Sequence, residues 1–212
     1  TGTITNGKLK VCRVIPASDA AEISDVKSGK KDENMLVRSY LAACDDNNAT
    51  FMALKEKFDI KGKTYKPVCK IPFSSKGKWG CVSFNEAGSV FVGAPERLLH
   101  GHLPYEMERE LDMGRRLIVI GYAEKIWKND KELPAAIKPL YFVVLEDTIR
   151  NNTKKTLEFF KKEGVDVKVI SGDHIKTVSM IAKRAGLENW RNAVDLSACS
   201  GKIDYDRICE EY

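Results

Sequence analysis

Lys66-Pro-Val-Cys-Lys-Ile-Pro-Phe73, Ser74-Ser-Lys-Gly-Lys78, Trp79-Gly-Cys-Val-Ser-Phe-Asn85, Glu86-Ala-Gly88 and Ser89-Val-Phe-Val92 run consecutively, and their pattern decides the fold. Two apolar runs, Lys66–Phe73 and Trp79–Asn85, flank the polar turn Ser74–Lys78. A second turn, Asn85–Gly88, leads into the third run, Ser89–Val92. Short strands joined by tight turns predict an antiparallel meander. Apolar spacing predicts helices at Asn34–Cys44, Asn48–Phe58 and Pro104–Met113, and Arg116–Ala123 reads as a further strand. Residues 10–138 are thus expected to form an α+β unit, an antiparallel sheet with flanking helices.

The C-terminal third has a different rhythm. Leu140-Tyr-Phe-Val-Val-Leu145 is a continuous apolar run, as in a parallel strand buried on both faces. Asn151–Glu163 reads as an amphipathic helix, with Leu157 and Phe160 among lysines and Gly164 as its stop. Val165–Ile170 reads as a strand and Ser171-Gly172-Asp173 as a tight turn. Ile175, Val178, Ile181, Ala182 and Ala185 then recur at helical spacing up to Gly186, and Asn192–Leu196 reads as a third short strand. Strands alternating with helices predict right-handed crossovers and a parallel sheet. With Thr1–Leu9, residues 139–212 would form an α/β unit into which the antiparallel unit is inserted. The polar stretch Lys125–Lys138, which contains a proline, reads as a hinge.

Composition narrows the function classes. A chain of 212 residues holds one or two domains. Its 43% hydrophobic and 31% charged content excludes a disordered chain. No run approaches the ~20 apolar residues of a membrane span, and no charged-then-apolar opening suggests a signal peptide. A net charge of +5 suits an anionic partner, but no DNA- or RNA-binding signature is present, so nucleic acid is not an expected partner. The clusters Lys27/Lys30/Lys31, Lys154/Lys155 and Lys161/Lys162 read as solvated faces. Cys12, Cys44, Cys69, Cys81, Cys199 and Cys209 form no CxxC and no Cys/His metal spacing, which predicts a reducing compartment without disulfides or a metal cluster.

Chemistry is expected at strand ends, because ligands of open α/β sheets bind beyond the carboxyl ends of the strands. Two such ends carry Asp147, in Leu145-Glu-Asp-Thr-Ile-Arg150, and Ser171-Gly172-Asp173. A hydroxyl, a glycine amide and a helix N-terminus together favour an oxyanion such as phosphate. Simple capping of the following helix by Ser171 or Asp173 is the competing reading.

Five segments, in order, resemble signatures of the P-type ATPases. Thr1-Gly-Thr-Ile-Thr5 is similar to the end of D-K-T-G-T-[LI]-T, and Ile71-Pro-Phe-Ser-Ser75 to the adenine-binding F-S-x motif. Gly93-Ala-Pro-Glu96 resembles the end of K-G-A-P-E. Leu145–Arg150 is similar to L-x-D-P-x-R, and Val169-Ile-Ser-Gly-Asp173 to V-x-[TS]-G-D. The resemblance covers nearly the whole chain and points to bacterial cation pumps, the calcium-exporting kind among them. It implies a nucleotide-binding domain (10–138) inserted in a haloacid-dehalogenase-like phosphorylation domain (1–9 and 139–212). It also implies ATP and Mg²⁺ as ligands, an adenine nucleotide as partner, and transmembrane and actuator regions elsewhere in an integral membrane protein of which this is a cytoplasmic portion. The aspartyl nucleophile and the G-D-G-x-N-D magnesium motif that the resemblance implies are not among these residues, so the segment is expected to bind ATP without hydrolysing it.

The resemblance also implies roles. Phe73 would stack on adenine; Ser75 and Lys78 would meet ribose or phosphate oxygens; Gly93 and Ala94 would let the backbone approach the ring; Thr50 would stand in the pocket wall. Asp147 and Arg150 would serve the nucleotide, Arg150 at its phosphates. Thr1 would contact the transferred phosphoryl group and, through its carbonyl, Mg²⁺, with Thr3 in the same loop. Ser171 and Gly172 would hold phosphate and Asp173 would support that turn. Five of these have a bland alternative: Phe73 a strand core residue, Lys78 an ordinary exposed lysine, Gly93 a strand-ending glycine, Thr50 a helix-surface threonine, Arg150 a surface ion-pair residue. Val92 replaces the motif lysine, Phe51 replaces a pocket glutamate that could accept from the adenine amino group, and Thr148 and Ile149 replace prolines. His100, His102 and His174 match no motif. A soluble haloacid-dehalogenase-type phosphatase with a large cap is the rival enzyme. It would need Asp147 or Asp173 as nucleophile, and neither has the D-x-D-x-T context. A non-catalytic interaction module is the third reading.

Overall fold

The computed structural model describes residues 2–19, 32–99, 103–198 and 204–212. The chain divides into two compact units, Leu9–Leu111 with Arg116–Glu146, and Thr1–Lys8 with Asp112–Arg115 and Asp147–Tyr212. The larger unit is inserted in the sequence of the smaller, as the alternation of patterns predicts.

Six strands form one sheet: β1 (Thr5–Pro16), β2 (Pro67–Ser74), β3 (Trp79–Phe84), β4 (Gly88–Gly93), β5 (Arg116–Ala123) and β6 (Lys138–Ile149). Their order is β1-β6-β5-β4-β3-β2, and the meander β2-β3-β4 forms as expected. Side chains alternate between two faces, and both faces are covered. Val82, Val90, Val92, Ile120, Val143 and Leu145 pack under α1 (Glu33–Ala43) and α2 (Ala49–Lys57). Cys81, Phe91, Val119, Phe142 and Val144 pack on the other side with Leu98 of α3 (Pro95–Leu98) and Met107 of α4 (Tyr105–Asp112). Fully burying each such side chain stabilises the fold by roughly 1.5–3 kcal/mol.

Both helices over the first face start on a polar cap. The Asp32 carboxylate accepts from the Met35 amide at 3.1 Å, and the Asn48 Oδ1 accepts from the Phe51 amide at 2.9 Å. Each satisfies a backbone donor that the first helical turn leaves open. Leu36, Val37, Tyr40 and Leu41 then line the buried face of α1, and Phe51, Ala53 and Leu54 that of α2.

Four expectations are corrected. Leu140–Leu145 is not a parallel strand; it lies in β6, antiparallel to β5, with Arg116 opposite Leu145 and Tyr122 opposite Lys138. An antiparallel strand covered on both faces leaves the same continuous apolar signature as a parallel one, and the run stays with the larger unit. Among the described residues Val165–Ile170 pairs with no other segment and forms no strand, and Ile170 is 94% exposed. Asn192–Leu196 is likewise not a strand; Leu196 opens a short 3₁₀ turn. The Lys125–Lys138 stretch is not a hinge within the larger unit. Ser83 donates to the Trp127 carbonyl at 2.8 Å, Ser89 donates to the Lys125 carbonyl at 2.7 Å, and both hydroxyls accept from the Trp127 amide. Trp127, Leu133 and Ile137 pack on the sheet beneath.

In the smaller unit, α5 (Thr153–Lys162) and α6 (Ile175–Ala185) form as expected, followed by α7 (Tyr205–Glu211). Gly164, at φ 71°, stops α5: its amide reaches the Lys161 carbonyl and the Val165 amide the Phe160 carbonyl. That paired closure satisfies the helix's last carbonyls and requires the left-handed conformation glycine supplies. Ile181, Ala182 and Ala185 are the buried residues of α6.

Candidate functional site

The larger unit carries a cleft with an empty volume of about 400 Å³, lined by residues of α1, α2, the turn between them, and strands β2, β4 and β5. Its walls are Phe51, Leu54, Phe73, Val92 and Ile118; Tyr40, Asp46, Asn48 and Thr50 supply polar atoms.

Phe73 reaches this cleft through a fault in strand pairing. Ile71 pairs with Cys81 and Ser74 with Trp79, so β2 advances three residues while β3 advances two. The extra residue is a β-bulge, and a bulge re-aims the side chain it carries. Ile71 packs against the core on one face of the sheet, whereas Phe73 lines the cleft beneath α1 and α2 on the other. Pro72 stands between them; it lacks an N–H to give to a ladder and is tolerated because β2 is an edge strand. Phe73 is 40% exposed, so it is not the core residue of the bland reading.

Of the other residues singled out in the sequence of this unit, Thr50 joins Phe73 in the cleft. Ser75, Lys78, Gly93 and Ala94 gather instead on the adjoining turn and the end of β4. The Ala94 amide donates to the Lys78 carbonyl at 2.9 Å. The Ser74 Oγ accepts from the Gly77 amide, and Arg97 Nε donates to the Gly77 carbonyl at 3.1 Å, bracing the turn from α3. Lys78 Nζ lies 2.9 Å from Glu96 Oε1, with both side chains more than half exposed. Such a pair contributes at most about 1 kcal/mol, so the ammonium can exchange this partner for another anion. Gly93 has a local reason to be glycine: a Cβ there would lie 2.6 Å from the Lys78 carbonyl oxygen.

Two of the departures from the motifs, Val92 and Phe51, stand in the cleft. Val92 is 6% and Phe51 is 5% exposed, and they extend the apolar wall where a lysine and a glutamate would have placed charge. Tyr40, Asp46, Asn48, Leu54 and Ile118 went unnoticed in the sequence. Asn48 carried a signal, as a capping residue ahead of α2; Tyr40, Leu54 and Ile118 look like ordinary core positions. Burial, with Cys44 and Asp46 nearby, pushes the Tyr40 hydroxyl well above its ordinary range. Burial, then Asp46, pushes the Cys44 thiol up to about 11. Both groups are therefore neutral hydrogen-bonding atoms at physiological pH.

In the smaller unit Arg150 is occupied. Its Nε donates to the Thr5 carbonyl at 3.0 Å, its NH2 to the Gly2 carbonyl at 3.2 Å, and its backbone amide to the Ile4 carbonyl at 3.0 Å. The guanidinium thus fixes the 2–5 segment that contains Thr3. Thr1 lies outside the described residues, as do His100 and His102. Asp147 is 8% exposed, and its carbonyl accepts from Arg184 at 3.1 Å. Ser171 Oγ accepts from the Asp173 amide at 3.2 Å, forming a closed turn. Neither residue caps α6; His174 does, accepting from the Lys176 amide through Nδ1. Among the described residues no three His, Cys, Asp or Glu side chains are grouped to hold a metal ion.

No protein-family model matches the chain. It is 34% identical over 198 residues to the probable cation-transporting ATPase exp7 of Streptococcus pneumoniae, covering 93% of this chain and 24% of that protein. It is 32% identical to the calcium-transporting ATPase CtpE of Mycobacterium bovis, covering 88% of this chain and 23% of that one. In fold it is similar to a crystal structure of a zinc-transporting PIB-type ATPase in its E2.Pi state, with a TM-score of 0.61 and 18% identity over 89% of this chain and 27% of the other. The chain thus spans about a quarter of the length of the curated relatives it matches. Over nine-tenths of its residues the chain is thus similar in sequence to a segment of the cation-transporting P-type ATPases, and its fold is similar to that of the solved structure.

Proposed function

We propose that the larger unit is the adenine-nucleotide-binding domain of a cation-transporting P-type ATPase, on the cytoplasmic side of the membrane. The observation that carries this reading is Phe73, 40% exposed and turned by the bulge into an apolar cleft. A purine ring placed there stacks on Phe73 and meets Leu54, Val92 and Ile118. A base–aromatic stack is worth about 1–3 kcal/mol in nucleic-acid systems. The Lys78 ammonium, held only by an exposed ion pair, is the nearby cation that could turn to ribose or phosphate oxygens. Mg²⁺ would arrive on the nucleotide's phosphates and neutralise charge during transfer. In the whole pump the terminal phosphoryl group passes to an aspartate, and the aspartyl-phosphate drives cation movement through transmembrane and actuator regions. That aspartate is not among the 212 residues, so the segment alone binds ATP and does not turn it over.

Binding is expected to be weak, with a Kd on the order of 1 mM, or about −4 kcal/mol. Titration with ATP, followed by backbone amide shifts, tests it. Shifts should centre on Phe73, Thr50 and the Ser74–Lys78 turn, and Phe73→Ala should weaken binding at least about fivefold, the lower end of the stacking range. An absence of shifts at these residues, or equal affinity in Phe73→Ala, refutes the reading.

A further inference from the structure

We propose that Glu96 limits the nucleotide affinity of this unit from inside the protein: its carboxylate occupies the Lys78 ammonium, and a phosphate oxygen of the nucleotide must displace it. This role rests on the nucleotide reading of the cleft and adds an internal competitor to it, one that acts on the ligand only through Lys78. Both residues are reached directly from the cleft walls. Phe73 and Val92 line the cleft. Lys78 ends the turn that follows Phe73, and Glu96 lies shortly beyond Val92, in the first turn of α3.

The contact is built into the backbone. The Lys78 amide donates to the Ser74 carbonyl at 2.6 Å, the Ala94 amide donates to the Lys78 carbonyl at 2.9 Å, and Arg97 Nε donates to the Gly77 carbonyl at 3.1 Å. Glu96 lies between Ala94 and Arg97, so the residues that grip the turn also bring its carboxylate to Lys78, with Oε1 2.9 Å from Nζ. Lys78 stands at φ 59°, and among the described residues no other non-glycine residue has a positive φ. A side chain resists that conformation, whereas glycine takes it without strain. Strain of this kind gathers where function needs the side chain. Partial burial acts to raise the Glu96 carboxyl, but the hydrogen bond from Lys78 and a backbone hydrogen bond outweigh it and hold the group below its ordinary value. Glu96 is therefore a carboxylate at physiological pH and competes with any other anion for Lys78. Both side chains are more than half exposed, so a ligand can reach the pair. The competition is correspondingly mild, because an exposed ion pair shifts an equilibrium by at most about fivefold.

The test titrates ATP and adenosine into the wild-type chain, Glu96→Gln, Lys78→Gln and the double variant, with amide shifts as the readout. Glutamine keeps the shape of glutamate and removes its charge. In Glu96→Gln, ATP should bind about two- to fivefold more tightly than in wild type, whereas adenosine, which carries no phosphate, should stay within about 1.5-fold. In the Lys78→Gln background the same change at Glu96 should tighten ATP by less than about 1.5-fold, because the competitor has lost the group it competes for. Simple repulsion between Glu96 and phosphate predicts the reverse, since a carboxylate without its lysine repels an anion more strongly. An ATP gain as large or larger in the Lys78→Gln background therefore overturns the inference. So does an unchanged or weakened ATP affinity in Glu96→Gln, or an equal gain with adenosine. Each of these results leaves the nucleotide reading intact while ATP still shifts the amides around Phe73 in wild type. Failure of the wild-type chain to bind ATP overturns both.

Discussion

Gly93→Ala separates two reasons for a glycine beside the cleft. One reason is ligand approach; the other is packing within the protein, and the geometry favours the second. A Cβ at position 93 would sit 2.6 Å from the Lys78 carbonyl oxygen, 2.8 Å from Trp79 Cβ and 3.0 Å from Trp79 Cα. Two of these three atoms are backbone, so no side-chain rotation relieves the clash. Ordinary contact begins near 3.4 Å, so β3 and β4 must part by most of an ångström at this point. The Ala94 amide bond to the same Lys78 oxygen, now 2.9 Å, would stretch or break. Overpacking of this kind costs about 1–3 kcal/mol, and a lost hydrogen bond adds about 0.5–1.5 kcal/mol. Together they predict a loss of about 2–4 kcal/mol. With a urea slope of about 2 kcal/mol per molar, the unfolding midpoint falls by about 1–2 M. The assay is equilibrium urea unfolding of the nucleotide-free chain, followed by tryptophan fluorescence. The methyl group points at β3, so variant protein that remains folded should bind ATP within about twofold of wild type. A midpoint within about 0.3 M of wild type, together with a clear loss of ATP affinity, would refute the packing argument and return Gly93 to the ligand.

Two further outcomes follow from buried polar groups in the larger unit. Ser83→Ala removes the donor to the Trp127 carbonyl and should lower stability by about 1–3 kcal/mol. The Trp127 amide should stay protected from hydrogen exchange, because Ser89 Oγ also accepts it at 2.9 Å; full exposure of that amide would show that the two serines do not share the strap. Alkaline pH should destabilise the unit through its thiols. Burial raises Cys44 to about 11 and Cys81 to about 12, so the folded state holds these protons more tightly than the unfolded chain. The stabilisation is complete below the ordinary thiol value of 9.0 and is lost as pH rises from there through about 11 to 12. The urea midpoint should therefore fall over that range in wild type and fall less in Cys44→Ala/Cys81→Ala. A gap between the two proteins that stays constant with pH would refute this.

The meander, the flanking helices and the insertion were legible because each rests on a local signal: turns at Ser74–Lys78 and Asn85–Gly88, apolar spacing along α1 and α2, Gly164 after α5. The parallel sheet was misread because pairing direction is not local. Phe142, Val143, Val144 and Leu145 face two covered sides in an antiparallel sheet and leave the trace a parallel strand would leave. Val165–Ile170 has strand composition but gains a ladder only from a neighbour, and composition does not reveal whether one is there. The role of Lys125–Lys138 was hidden because Ser83 and Ser89, which pin it, are unremarkable residues inside a strand pattern. The cleft was half legible. Phe73 and Thr50 came from motif resemblance, whereas Asp46, Asn48 and Tyr40 face it only once α1 and α2 are folded over the sheet.

The placement of Phe73 on β2 joins two demands on the same residues. An edge strand offers unpaired N–H and C=O groups to any other strand, and soluble folds blunt such edges with proline, lysine and bulges. β2 carries all three: Pro67 and Pro72, Lys70, and register breaks between Pro67 and Cys69 and between Ile71 and Ser74. The second break is also what turns Phe73 into the cleft. A regular β2 would send Phe73 to the same face as Ile71, leaving the cleft without its aromatic wall, and would present a straighter edge for pairing. The irregularity that discourages association with a second sheet is thus the one that creates a surface for a flat ring. Pro72 stands immediately before Phe73 in this chain, where the missing N–H and the extra residue serve edge and site together.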